Sequence, residues 1–254
     1  MLLTMVRWLS GAESTVDQQL DLPQGMGTAR RMTLAVEGGS RPLLAVTLVP
    51  GSYSIRLMDQ SPTFPVGART VAQSRSLVPG ALVAINGGYF EPSFQPSGLF
   101  RLDGKDLHPL AAEGVLSGIV ALDVMGGLRL LPRDGALDGV RSAIQAGPFL
   151  IDPGGTLGVN PRPARAQRSV IATDDHGRVL VLATGVLTLH QVASLLHDQP
   201  QLFGMEHIER ALNLDGGPST GLSLSLPLAV EDPAWSVVER GPVRNVLVVS
   251  PAAQ

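Results

Sequence analysis

Short apolar or alternating runs recur along the chain, and each is bounded by glycine, proline or asparagine. Such runs predict β-strands separated by tight turns. The predicted strands cover residues 32–36, 43–49, 53–58, 82–85, 98–102, 115–123, 128–131, 148–151, 169–173, 179–183 and 243–249, with a further strand ending at Asn213. Residues 1–30 lack this pattern and are predicted to be an irregular lead-in to one domain over 31–254.

One amphipathic helix is predicted over 188–198. Thr188 is a typical N-cap, and Gln191, three residues later, completes a capping box. Apolar residues then recur at helical spacing, at Leu189, Val192, Leu195 and Leu196. A second, shorter helical turn is predicted over 205–210. Strands that outnumber helices predict an α+β fold: a strand-rich single domain with mixed sheets and few helices.

Composition narrows the classes of function. The 254 residues include 29 glycines and 20 prolines, as a fold with many turns requires. A net charge of −3 and an aromatic content of 4% argue against nucleic acid as a partner. No run approaches the roughly 18 apolar residues that span a bilayer. The absence of cysteine excludes disulfides, thiolate metal sites and cysteine nucleophiles.

Two apolar runs end in asparagine and a pair of glycines. Residues 211–220 read ALNLDGGPST, and residues 82–90 read LVAINGGYF. The simplest interpretation of Asp215 is a turn aspartate that bonds its own backbone. However, Asn213 lies on the same strand face, Ser219 follows the turn, and Asn86 ends a strand of the same design. We therefore expect both loops to converge on one polar pocket.

Arginines recur at every third position, at Arg162, Arg165 and Arg168. The first two are predicted to lie in a solvated loop stiffened by proline. Arg168 adjoins an apolar strand, and burying its charge without an anion is costly. Its predicted partner is either Asp215 or a substrate phosphate. The five histidines have no metal-ligand spacing, and His190 is expected on the solvent face of the predicted helix.

Segments in a fixed order resemble the phosphodiester glycosidase family, which includes the lysosomal uncovering enzyme and bacterial exopolysaccharide-associated proteins. The matching segments are NGGYF at 86–90, SGL at 97–99, DGK at 103–105, QAGPFL at 145–150, RSVI at 168–171, TG at 184–185, LTL at 187–189, ALNLDGGPST at 211–220 and RNV at 244–246. Pro218 stands where the family usually has a third glycine.

The resemblance implies hydrolysis of a sugar-1-phosphodiester between the anomeric carbon and the phosphate oxygen, with catalytic roles for Asp215, Arg168 and Asn86. The substrate-binding residues that it implies are Gly87, Gly88, Tyr89, Gln145, Gly147, Thr184, Asn213, Gly216, Gly217, Ser219 and Thr220. No cofactor is expected, and a divalent metal is left open. A second carboxylate is not identified; the candidates are Glu91, Asp174 and Glu206.

Two alternatives remain open at the level of sequence. A non-catalytic glycan-binding protein of exopolysaccharide metabolism would use the same amides, carboxylate and glycine loops. An ordinary glycosidase would need two carboxylates at a defined separation. The family resemblance implies a periplasmic or secreted location, but residues 1–10 are a poor signal peptide, so the compartment is left open.

Overall fold

Antiparallel strands make up most of the computed structural model, which describes residues 6–7, 13–61, 69–225 and 235–252. The strands are, in chain order, β1 (Val6–Arg7), β2 (Glu13–Asp21), β3 (Gly27–Val36), β4 (Gly39–Leu48), β5 (Tyr53–Asp59), β6 (Val83–Asn86), β7 (Phe100–Leu102), β8 (Lys105–His108), β9 (Gly118–Leu122), β10 (Leu128–Pro132), β11 (Ser142–Ala146), β12 (Phe149–Asp152), β13 (Thr156–Leu157), β14 (Arg165–Thr173), β15 (Val179–Thr188), β16 (Arg210–Asn213), β17 (Leu222–Leu224), β18 (Ser236–Val237) and β19 (Asn245–Pro251). The α-helices are α1 (Val71–Ser76) and α2 (Leu189–Asp198).

Three sheets contain these strands. The largest has the order β1-β2-β3-β4-β15-β14-β16-β12-β13, and the two five-stranded sheets have the orders β10-β9-β11-β7-β8 and β18-β17-β6-β19-β5. The predicted strand-rich α+β fold with few helices is confirmed. The sheets are not mixed as predicted, because the strand pairs that the structure describes run antiparallel.

One hydrophobic core joins the three sheets. It contains Val46 and Leu212 of the largest sheet, Val120 of the second, and Ile85 and Leu247 of the third. A second cluster lies between the largest sheet and α2. The shared core holds the end of β6 against the end of β16, although the two strands belong to different sheets.

Helix α2 follows the prediction closely. The Thr188 hydroxyl accepts a hydrogen bond from the backbone N–H of Gln191, whose side chain accepts one from the N–H of Thr188. Leu195 and Leu196 are buried against the sheet. Within the described residues, no helix is long and apolar enough to cross a bilayer.

Two predictions of local structure are wrong. Much of the predicted irregular lead-in, 1–30, is strand, since β2 and the start of β3 lie within it. Most of β2 is exposed near the sheet edge, so it carries polar residues and no apolar pattern. The predicted helical turn over 205–210 is absent; a 3₁₀ turn at Pro200–Phe203 precedes it instead. The sequence interpretation also missed α1, which begins with a capping box at Thr70.

Candidate active site

The two asparagine–glycine loops meet, as predicted. The Asn86 side-chain amide donates to the backbone carbonyl of Asp215 at 2.7 Å, and the Asp215 N–H donates to the carbonyl of Gly87 at 3.0 Å. The loops follow β6 and β16, which belong to facing sheets. These two bonds fix the backbone of Asp215 relative to both sheets.

Asn86 holds this junction together rather than facing a ligand. Its side chain is buried, and its carbonyl oxygen accepts from the Ser169 hydroxyl at 2.6 Å and from the Gly221 N–H at 3.1 Å. Three of the hydrogen bonds that the amide can make are therefore used within the protein. These bonds make Asn86 a positioning residue for the Asp215 backbone, and its predicted catalytic role stays a prediction.

Close backbone packing explains the glycine pairs. A Cβ on Gly87 would meet the Asn245 side chain, one on Gly88 would lie 2.9 Å from the Gln145 carbonyl oxygen, and one on Gly216 would lie 2.8 Å from the Gln167 carbonyl oxygen. Gly217 has a φ of +61°, which favours glycine. Gly87, Gly88 and Gly216 thus let the loops pack closely against neighbouring parts of the fold, and Gly217 allows the turn. The predicted contact of all four with substrate stays a prediction.

Asn245 is a structural residue that the sequence interpretation did not include in the site. Its side-chain oxygen accepts from the Gly88 N–H at 2.8 Å, and its backbone oxygen accepts from the Gly87 N–H at 2.9 Å. A buried asparagine at the start of β19, within the RNV segment of the resemblance, was the signal that could have identified it.

The carboxylate of Asp215 lies in a poorly solvated position. Burial raises its pKa to about 6, because desolvation penalises the charged form. Hydrogen bonds from the Ser219 hydroxyl and the Gly216 N–H act in the opposite direction and stabilise the carboxylate. Ser219, which was predicted to bind substrate, therefore bonds Asp215 directly, and its contact with substrate stays a prediction. At neutral pH Asp215 is mostly ionised and close to its titration range.

Tyr89 and Asn213 form a bonded pair beside Asp215. The Tyr89 hydroxyl donates to the Gly147 carbonyl at 2.9 Å and accepts from the Asn213 amide, which also donates to that carbonyl. Burial, and then the charge of Asp215, raise the pKa of Tyr89, so the phenol stays protonated. The Asn213 side-chain oxygen is buried and accepts no hydrogen bond within the described part of the chain. It is an acceptor available to a ligand.

Arg168 is held by backbone oxygens and not by a carboxylate. Its Nε donates to the Leu187 carbonyl and one terminal nitrogen to the Ala164 carbonyl, both at 3.1 Å. Among the described residues it forms no ion pair, so Asp215 is not the partner that the sequence left open. Burial lowers the pKa of Arg168, as expected for a cation without an anion.

A cavity of about 440 Å³ brings several predicted residues together. Tyr89, Gly147, Arg168 and Asn213 line it. Asp215 is not among the residues that line the cavity, but it follows Asn213 by two positions and its charge acts on Tyr89. Three polar residues that the sequence interpretation did not assign to the site line the same cavity: Asn160, Arg162 and His190. His190 lies at the start of α2, whereas Asn160 and Arg162 lie in the loop between β13 and β14. Their meeting depends on tertiary packing, which no local pattern indicates.

Of three further residues that were predicted to contact substrate, two bond groups of the protein itself and the third is buried. Their contacts with substrate stay predictions. The Gln145 side chain bonds four backbone groups, at Leu99, Ala111 (twice) and Leu116. The Thr184 hydroxyl donates to the Gly185 carbonyl, although Thr184 pairs with Arg168 across β14 and β15. Thr220 is buried behind the loop, and its hydroxyl has no partner in the described structure.

The candidates for a second carboxylate are not brought to the cavity. Glu91 is exposed and accepts from the Ser97 hydroxyl. Asp174 forms an ion pair with Arg178 beyond the far end of β14, about 20 Å along the strand from Arg168. Glu206 is exposed near the start of β16, at the end opposite Asp215. No carboxylate of the described residues lines the cavity, and no group of three His, Asp or Glu side chains there is placed to bind a metal.

Comparison with known proteins agrees with the resemblance drawn from the sequence. A family model described as phosphodiester glycosidase matches residues 79–250. The fold is similar to that of a hypothetical protein from Synechocystis, at 19% identity and a TM-score of 0.58, with coverage of 100% of this chain and 64% of that one. It is also similar to the catalytic domain of zebrafish N-acetylglucosamine-1-phosphodiester alpha-N-acetylglucosaminidase, auto-inhibited by its pro-peptide. That match has 19% identity and a TM-score of 0.57 and covers 100% of this chain and 88% of that one. A search of curated proteins gave no match.

Proposed function

The chain belongs to the phosphodiester glycosidase family of hydrolases, and from this membership we propose that it cleaves a sugar-1-phosphodiester between the anomeric carbon and the phosphate oxygen. The products are a free sugar and a phosphomonoester. One observation carries the proposal: the Asp215 carboxylate lies near a cavity that Arg168 lines. Arg168 donates to backbone carbonyls and has no carboxylate partner among the described residues.

Arg168 is assigned to the phosphate. A guanidinium has five N–H donors, and the carbonyls of Leu187 and Ala164 occupy two of them. The remaining donors match the two non-bridging oxygens of a phosphodiester in a planar fork. A bound phosphate would also supply the negative charge that the half-buried arginine lacks in the described structure.

Asp215 is assigned to the anomeric carbon. In the proposed reaction a water oxygen forms a bond to that carbon, and the bond to the phosphate oxygen breaks with its electron pair staying on the phosphate. The proton that the water loses passes to the leaving phosphate or to solvent. The leaving phosphomonoester is weakly basic, so it needs less help from a general acid than an ordinary alcohol does. The requirement that remains is negative charge near the developing oxocarbenium centre, which an ionised Asp215 supplies.

The sugar is assigned to the wall of the cavity nearest Asp215. The unpartnered oxygen of Asn213 accepts a bond from a sugar hydroxyl, and the Tyr89 ring provides a surface beside it. Asn86 acts indirectly: its side-chain amide donates to the Asp215 carbonyl oxygen at 2.7 Å and so holds the Asp215 backbone in place. Substitution of Asn86 should therefore lower kcat more than it raises KM.

Isotope labelling tests the reaction. Hydrolysis of a panel of sugar-1-phosphodiesters in ¹⁸O-labelled water should place the label on the anomeric hydroxyl, as mass spectrometry of the separated products would reveal. Asp215→Asn should abolish turnover, whereas the exposed Glu206→Gln serves as the matched control and should leave it unchanged. Label in the phosphate would mean attack at phosphorus and would refute the proposal.

One observation favours a second candidate function. No carboxylate lines the cavity in the described part of the chain, which suits a protein that binds a glycan without cleaving it. Calorimetric titration separates the two functions when it is combined with the labelling assay. An enzyme should bind ligand in the Asp215→Asn form while losing turnover. A glycan-binding protein should bind in both forms and release no sugar in either.

A further inference from the structure

A second cavity adjoins the candidate active site and continues its positively charged wall. It has a volume of about 460 Å³ and lies between the 161–165 loop and the start of α2. Arg162 and His190 line both cavities, so the two cavities share part of their wall. Arg165 lines the second cavity alone.

The two loop arginines have no bonding partner among the described residues. Arg162 and Arg165 are exposed, and neither donates a hydrogen bond or forms an ion pair among the described residues. Two other exposed arginines are engaged: Arg141 pairs with Asp103 at 2.8 Å, and Arg240 donates to the Gln167 side chain. The exposed Arg56 has no partner among the described residues either. Pro161 and Pro163 flank Arg162 and restrict its backbone.

The permanently charged side chains that line the two cavities are all arginines. Among the described residues that line them there are three arginines and a histidine, but no aspartate or glutamate. This concentration of cations occurs in a chain whose net charge is −3. The start of α2 faces the same space, and its capping box uses the Gln191 N–H. The partial positive charge of a helix N-terminus adds to that of the arginines.

We propose that Arg162, Arg165 and His190 form a subsite for a second phosphate on the leaving group, so that the preferred substrate class is a sugar joined through a diphosphate. The proposal rests on the proposed function, because it takes Arg168 as the ligand of the first phosphate. The unpartnered Asn213 oxygen binds the sugar in the first cavity, the first phosphate bonds to Arg168, and the second phosphate extends towards Arg162 and Arg165.

The chemistry of the reaction is unchanged by the second phosphate. Water still adds to the anomeric carbon, and the bond to the nearest phosphate oxygen still breaks. The leaving group is then a diphosphate monoester, whose additional charge the loop arginines neutralise. The subsite therefore acts on substrate selection and not on the bond that is cleaved.

Calorimetric binding of inorganic pyrophosphate and inorganic phosphate, with a chelator present, tests the subsite without any turnover. Pyrophosphate should bind the wild-type protein about ten-fold more tightly than phosphate, as expected for one additional set of charge-assisted hydrogen bonds. The Arg162→Gln/Arg165→Gln double variant should lose most of that preference while its affinity for phosphate changes less than about two-fold, since exposed charges act weakly at a distance. Arg56→Gln is the matched control, because Arg56 is exposed and lines a different cavity.

A kinetic arm separates this inference from the proposed function. It compares kcat/KM for a sugar-1-phosphate methyl ester with that for the same sugar joined to a nucleoside diphosphate. A preference for pyrophosphate that the double variant removes would support the subsite. If neither substrate is cleaved in that case, only the proposed function is refuted. Equal affinities for the two anions in the wild type, or a preference that survives in the double variant, would overturn the subsite, whether or not the methyl ester is cleaved.

Discussion

Replacing Asp215 with asparagine should stabilise the folded protein at neutral pH. Burial raises the pKa of Asp215 from the ordinary 3.8 to about 6. The folded protein therefore binds more protons than the unfolded chain between about pH 4 and 6, and its free energy of unfolding falls as the pH rises through that window. Above pH 6 the full loss of stability caused by the buried charge of Asp215 is present, and below pH 4 this loss is absent.

The size of the pKa shift sets the expected change in the free energy of unfolding. A rise from 3.8 to about 6 corresponds to about 3 kcal/mol of lost stability as an upper bound, and partial contact with water reduces this to about 1–2 kcal/mol. Asparagine retains an oxygen that can accept from Ser219 and Gly216 and carries no charge to desolvate. We expect Asp215→Asn to raise the free energy of unfolding by about 1–2 kcal/mol at pH 8 and to leave it unchanged at pH 4.

Urea unfolding at several pH values between 4 and 8 measures this difference, and circular dichroism verifies that the variants fold. Glu206→Gln provides the control, because an exposed carboxylate should change stability by less than about 0.5 kcal/mol at every pH. If Asp215→Asn is less stable than the wild type at pH 8, or if the difference does not depend on pH, then burial does not raise the pKa of Asp215 and the electrostatic reasoning is refuted.

Three further outcomes are expected. In a sugar-1-phosphodiester assay, kcat/KM should rise with pH through about 6 as Asp215 ionises, and a profile that is flat from pH 5 to 8 would remove Asp215 from the reaction. With a substrate that has one phosphate, Arg168→Lys should lower kcat/KM more than Arg165→Lys, because lysine keeps the charge but loses the planar fork; equal effects would exclude Arg168 from the phosphate role. Leu195→Ala should lower the free energy of unfolding by about 2–5 kcal/mol, as judged by urea unfolding, because Leu195 is 1% exposed; a change near zero would contradict the packing of α2.

The parts of the fold that the sequence predicts are those with a strong local pattern. The capping box and apolar stripe of α2 and the strands that precede each glycine pair are examples. The convergence of the two loops was also predictable, since both present polar groups at the end of a buried strand. By contrast, β2 lies near a sheet edge and carries mostly polar residues. The alternation of apolar and polar residues that predicts a strand is therefore not visible in its sequence.

The roles of individual side chains were harder to predict than their proximity. Asn86 and Gln145 both occur in the segments that suggest a site, but their amides bond the protein's own backbone. A sequence shows that an amide lies in a polar loop, but not which groups it bonds. Asp174 was a reasonable candidate by residue type, but it follows the last residue of β14, and the extended backbone of that strand separates it from Arg168.

Stability and activity conflict at Asp215, and this conflict bears on the choice between an enzyme and a glycan-binding protein. A site that only binds sugar hydroxyls is equally well served by an asparagine, which has an acceptor and two donors and needs no counter-charge. The carboxylate adds negative charge, and that charge is unfavourable where burial raises the pKa to about 6. The charge becomes useful only when positive charge develops beside it, as it does at an anomeric carbon losing a phosphate. A buried carboxylate held in place by Asn86 and Ser219 therefore fits catalysis better than binding.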